Sequence, residues 1–170
     1  MSIPVAIYIF LLVELVFVAI IDFKTKKISN LWSIINIIFF ISTFFLFPEQ
    51  YMLSLKLFII PMAILIGGFG LYLLKIMGAG DTKYLVTFFL LIPLALHQTV
   101  FVYLAQSTII IGLCILIYNA IKNYSNFFFA IRTWDKALFR QIFGTKFTYA
   151  PVILFSWMWL GWEQKKLIFW

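Results

Sequence analysis

Long apolar runs separated by short polar gaps make up this chain. Runs at 3–21, 31–47, 52–74, 84–96, 99–121 and 147–162 alternate with gaps that hold almost all the charge. Segments of this length and composition predict helices that enter a bilayer. A lipid-embedded helix satisfies its own backbone hydrogen bonds, so the expected fold is all-α: a polytopic membrane bundle of six transmembrane helices forming one domain over 1–170. The first run has no basic segment ahead of it and no small-residue cleavage site behind it, so we expect a retained span rather than a signal peptide. The third run carries Pro61, expected to kink it, and Lys56, placed to reach outward along the interface. Gly67, Gly68 and Gly70 near its far end predict close helix packing. The fourth run is short unless its helix begins at Asp81.

Charge gives the bundle an orientation. Ten of the thirteen basic residues fall in the gaps at 22–30, 75–83 and 122–147: Lys24, Lys26, Lys27, Lys75, Lys83, Lys122, Arg132, Lys136, Arg140 and Lys146. Lys56, Lys165 and Lys166 lie towards the opposite side. The positive-inside rule then makes those gaps cytoplasmic and both termini external. In the 122–147 gap, Phe127, Ile131, Trp134, Leu138 and Ile142 recur at helical spacing with charges between them, which predicts an amphipathic helix lying in the headgroup layer. Trp157, Trp159 and Trp162 predict an interfacial belt at the end of the last run.

Composition agrees with a lipid solvent. The chain is 65% hydrophobic and 21% aromatic with only 11% charged residues, and its mean hydropathy is +1.08. The net charge of +7 is spread over short gaps, a pattern that suits anionic lipid headgroups and argues against nucleic acid as a partner. Cys114 is the single cysteine and sits in an apolar run, so we expect neither a disulfide framework nor a metal cluster, and no cofactor. His97, the single histidine, falls at a turn and is expected to be solvated.

Candidate chemistry gathers at Gly78-Ala79-Gly80-Asp81-Thr82-Lys83. The glycines at Gly78 and Gly80 permit unusual turns and let another chain segment approach Asp81. If Asp81 opens the next helix, the helix N-terminus stabilises its carboxylate. The expected topology brings Asp22, at the end of the first span, to the same face. Two neighbouring carboxyls share a proton, leaving one as general base and one as general acid, the equipment for hydrolysing an amide with water. Asp22 at a helix C-terminus would tend to hold the proton and Asp81 to be the anion, although Lys24, Lys26 and Lys27 push the other way. Glu14, two helical turns before Asp22 on the same face, lies deep in the first span; a structural pairing or a protonated, hydrogen-bonded state is expected there.

The segment from Gly78 to Lys83 resembles the Gly-x-Gly-Asp-x-Lys motif of the type IV prepilin peptidases, a group of Gly-x-Gly-Asp intramembrane aspartyl proteases. Asp22, followed by Lys26-Lys27-Ile28-Ser29-Asn30, is similar to that family's first catalytic position, with Ser29 where proline is frequent. Tyr149-Ala150-Pro151 resembles the start of its last helix. The resemblance implies that Asp22 and Asp81 are catalytic, with Gly78, Gly80 and Lys83 supporting them. It implies as substrates prepilin-like or preflagellin-like precursors, cut on the cytoplasmic side between a short basic leader and a hydrophobic helix. Larger members carry an N-terminal domain with paired cysteines and methylate the new amino terminus. This chain looks like the short form, for which we expect peptidase activity without methyl transfer. A competing class is a non-enzymatic scaffold or small proton or cation transporter, supported by Glu14 and the repeated Asp-x-Lys at Asp22/Lys24 and Asp81/Lys83. A presenilin-like protease would need more spans.

Overall fold

The structure, a computed structural model, describes residues 3–73, 77–124, 132–133 and 148–163. These residues form six α-helices, two 3₁₀ turns and no strand. The helices are α1 (Val5–Thr25), α2 (Asn30–Leu46), α3 (Ile59–Leu73), α4 (Ala79–Leu90), α5 (His97–Lys122) and α6 (Ala150–Glu163). The 3₁₀ turns, Leu55–Phe58 and Leu94–Leu96, lead directly into α3 and α5. The expected amphipathic helix at 127–142 lies outside the described residues.

Among the described residues, three segments are long and apolar enough to cross a membrane: Val5–Thr25, Leu55–Leu73 and Leu94–Lys122. Six crossings were expected, but α2, α4 and α6 have 17, 12 and 14 residues. At a helical rise of about 1.5 Å per residue, α4 reaches ~18 Å against a hydrocarbon core of ~30 Å. One face of it is nonetheless enclosed: Tyr84, Phe88 and Phe89 are fully buried. It is a central helix, packed against α2 and α3. On the other side of the bundle, α6 packs against α1 and α5. The two groups meet where the Phe88 ring of α4 stands edge-on to Trp157 of α6 at 5.3 Å, and Tyr8 of α1 stacks on Trp157 at 5.2 Å. The outside is apolar, with Phe23, Phe45 and Leu55 among the side chains left open to the surroundings. Lipid is the environment that such a surface requires.

A short helix in an apolar surrounding must still satisfy its terminal backbone groups. After α4 ends, the Tyr51 hydroxyl donates to Leu91 O at 2.6 Å, and His97 Nε2 lies 2.9 Å from Ile92 O. His97 is therefore not the solvated turn residue expected. It is buried at the start of α5, edge-on to Phe89. Pro61 falls in the first turn of α3, following the 3₁₀ turn. A proline there removes no intrahelical hydrogen bond, so the expected mid-span kink has no cause.

The glycines of α3 divide sharply. A methyl group on Gly68 would stand 2.5 Å from Thr82 Cγ2, whereas Gly67 and Gly70 have nothing within 4 Å of that position. Only Gly68 serves the α3–α4 contact. Gly68→Leu is expected to destabilise the protein by about 1–3 kcal/mol through overpacking, with Gly70→Leu close to neutral. Thermal melting of both variants in detergent checks the contrast.

Candidate active site

Asp22 lies in the last turn and a half of α1 and is buried, on the face that also buries Glu14 and Val18. The helix is closed by Lys26, whose N–H donates to Asp22 O at 2.7 Å and whose backbone is left-handed at φ 53°. That conformation costs a non-glycine residue about 1–2 kcal/mol. The Thr25 hydroxyl helps to hold it, 2.9 Å from Ile21 O and 3.1 Å from Lys27 O. Ser29 then caps α2, its side chain accepting from Leu31 N–H at 3.3 Å. A serine in place of proline here thus retains a helix-starting function.

The turn between α1 and α2 is seated on the beginning of α4. A methyl group on Gly80 would collide with the Ile28 carbonyl oxygen, and one on Gly78 would stand 3.1 Å from Asp81 Oδ2. Neither glycine has a positive φ. Close approach, and not conformational freedom, is what both positions require. Asp81 is the third residue of α4, where its Oδ2 accepts from the Gly78 N–H at 3.0 Å. Its carboxylate serves the free end of its own helix, as expected, although the capping residue itself is Gly78.

Asp22 and Asp81 come from helices 59 residues apart in the chain and lie within electrostatic reach of each other. Asp22 Oδ2 accepts from the Ala150 N–H at 3.1 Å. Ala150 is the first residue of α6, so a helix N-terminus faces this acid too, and the expectation that Asp22 is the weaker anion loses its main physical ground. Tyr149, whose hydroxyl lies 3.0 Å from Thr108 Oγ1, is also in electrostatic reach of Asp81. Sequence reasoning picked out the Tyr149-Ala150-Pro151 segment but not the N–H that Ala150 offers. No local pattern in sequence reveals a donor 128 residues away.

Asp81 precedes the fourth apolar run, in the 75–83 gap. Burial raises its carboxyl to about 6; the Gly78 N–H opposes that rise and the nearby Asp22 charge adds to it. It opens onto a cleft of about 950 Å³ bounded by the Lys26–Asn30 turn, Tyr72 and Met77, with the exposed Lys83 at its edge. Asp22 lies behind this cleft and not on its wall. Among the described residues, no three His, Cys, Asp or Glu side chains are grouped to hold a metal ion.

A family model described as the type IV leader peptidase family matches residues 9–121. That range includes Asp22 and Asp81 and stops before α6. No curated protein and no solved structure matches the chain.

Two predictions follow from the geometry. Gly80→Ala forces a methyl group against the Ile28 backbone, which a side-chain rotation cannot relieve, and is expected to cost about 1–3 kcal/mol in detergent melting. For Asp81, a carboxyl held near 6 in the folded chain against about 4 when unfolded gives the folded state the larger proton affinity. Stability contributed by this group is therefore present below about pH 4 and lost as pH rises through about 6. Melting temperatures across that range are expected to fall for the native chain and to lose that part of the slope in Asp81→Asn.

Proposed function

Because the chain belongs to the type IV leader peptidase family, we propose that it is an aspartic endopeptidase in which Asp22 and Asp81 remove the short basic leader of pilin-like or flagellin-like precursors. The observation that supports this reading is that the two carboxyls lie within electrostatic reach of each other, each provided with a backbone N–H from the start of a helix.

Two acids within electrostatic reach can hold one proton between them, a state that gains population as pH falls towards about 6. The ionised member takes a proton from water, and the oxygen attacks the carbonyl carbon of the scissile bond. The protonated member gives its proton to the departing nitrogen, and the C–N bond breaks. The leader leaves with a new carboxylate and the mature subunit with a new amino terminus. The two helix starts would serve this cycle by stabilising whichever carboxyl is ionised at that moment.

Orientation follows the charge pattern. The turn at 26–29 and the segment at 77–78 lie at one end of the bundle with the two acids, and the lysines of both gaps support a cytoplasmic position for that end. Six crossings, external termini and cleavage without methyl transfer complete the reading. The cleft beside Asp81, apolar on most of its wall, suits the first residues of a hydrophobic precursor helix held in extended form. A second reading, a membrane subunit that handles protons or cations, is favoured by one observation, the burial of Glu14 to 3% exposure.

Cleavage of a prepilin-like reporter in membranes separates the two. The native chain is expected to trim the leader, and Asp22→Asn and Asp81→Asn each to lower the rate by at least about a hundredfold at matched expression. Trimming that persists in both variants would remove the paired-aspartate mechanism and leave the proton- or cation-handling reading in front.

A further inference from the structure

Two turns deeper than the dyad, three helices bring polar side chains to one buried point. Glu14 of α1 is 3% exposed, and Asn36 of α2 and Tyr84 of α4 are both 0% exposed. Asn36 and Tyr84 are the side chains that act on the Glu14 carboxyl, and among the described residues no cation does. Yet Glu14 Oε1 and Oε2, Asn36 Oδ1 and Nδ2, and the Tyr84 hydroxyl all lack a hydrogen bond of ordinary geometry among the described residues. Five buried polar atoms are gathered without the bonds that would satisfy them. Left so, each would cost about 1–3 kcal/mol.

Counting donors and acceptors identifies the state that resolves this. A neutral glutamic acid has one O–H to give, asparagine has its amide N–H groups and carbonyl oxygen, and tyrosine gives and accepts through one oxygen. A ring then closes in which Glu14 donates to Asn36 Oδ1, Asn36 Nδ2 donates to the Tyr84 oxygen, and Tyr84 donates to the second Glu14 oxygen. Every orphaned atom is then used, the Tyr84 oxygen twice. In this ring an ionised Glu14 has no proton to give, so Asn36 Oδ1 is left orphaned and a charge stays buried without a counter-charge.

We propose that Glu14, Asn36 and Tyr84 form a proton-holding positioning node, in which neutral Glu14 closes a hydrogen-bond ring that sets the spacing of α1 against α2 and α4. This spacing matters at the dyad. Glu14 shares a buried face with Asp22, Tyr84 is one turn beyond Asp81, and α2 begins at the cleft wall with Ser29 and Asn30. The helix α4 packs directly on α2, whereas α1 packs chiefly on α6. The node is a polar tie from α1 to the α2–α4 pair. Its geometry stands independently of the peptidase reading, and its consequence for cleavage rests on that reading.

The test uses the full chain in lipid nanodiscs. With ¹³C-labelled glutamate at neutral pH, the infrared carbonyl band of a protonated carboxylic acid is expected in the native chain and absent from Glu14→Gln. Spin labels at Phe23→Cys on α1 and Ala79→Cys on α4, in a Cys114→Ser background, are expected to give a narrow distance distribution. Glu14→Gln, which keeps one donor and one acceptor, should preserve that distribution, and Glu14→Leu and Tyr84→Phe should broaden it. In the cleavage assay Glu14→Gln is expected to stay within about twofold of the native rate, and Glu14→Leu and Tyr84→Phe to lose about tenfold in kcat with KM little changed. A missing protonated-glutamate band, a Glu14→Gln variant as impaired as Glu14→Leu, or a distance distribution that tightens with sodium would overturn the node, the last by making it a cation site. If the native chain cleaves no precursor, the peptidase reading fails, while the infrared band and the label distances still decide the node.

Discussion

The Ile28 carbonyl resting on Gly80 sets how far the first turn of α4 can approach the end of α1, and the distance between the two acids follows from it. Backbone against backbone is the closest contact that two chain segments can make, and only glycine permits it. Around this contact the other local features take on a purpose. Lys26 accepts a left-handed backbone so that the chain turns sharply after Asp22. Ser29 starts α2 at once, so the turn stays short and stiff. Gly78 leaves its N–H open to the Asp81 carboxyl. The two acids are thus positioned by main-chain geometry on both sides, which holds a pair of like charges more firmly than flexible side chains would.

Lipid imposes the second constraint, that polar groups find partners inside the protein. It explains why a helix of 12 residues can serve as the centre of a membrane bundle. Tyr51 and His97 occupy the carbonyls that follow α4, and Asp81 occupies the amide at its start. A short central helix keeps its first turn below the bundle's surface, so Asp81 is buried while its cleft stays open. The aromatic contacts of Phe88 and Tyr8 with Trp157 then tie α6 to α4 and α1. This matters because α6 brings the Ala150 amide to Asp22.

Much of this was legible in the sequence, for reasons that differ by residue. Asp81 announced itself through the glycines beside it, and Asp22 through charge topology, which sets both acids on one face whatever the packing. The shared buried face of Glu14 and Asp22 followed from helical periodicity alone. The length of α4 was not legible, because apolar residues continue through Leu91 and Ile92 into Pro93 and the following turn, and hydropathy does not see a helix end. His97 misled for a similar reason: a histidine beside a turn looks solvated until its carbonyl partner, five residues back, is known. Of the three glycines on α3, sequence could not say which one meets Thr82.

The division of labour between the two acids is where local reasoning and tertiary structure part most clearly. Considered on its own helix, Asp22 faces the negative end of α1 and ought to resist ionisation, while Asp81 faces a positive end. The fold offsets that difference by bringing the start of α6 to Asp22, where the Ala150 and Tyr149 N–H groups both act on its carboxyl, while Asp81 has the N–H of Gly78. In the proposed reaction the two acids exchange roles within one turnover, since the acid that loses its proton to the leaving amine must regain one before the next. Burial acts on the same balance from the other direction, because raising Asp81 to about 6 brings its proton affinity near the pH at which it would work. Helix ends supply the anion's stabilisation and the apolar surround supplies its cost, and a proton-sharing dyad needs both.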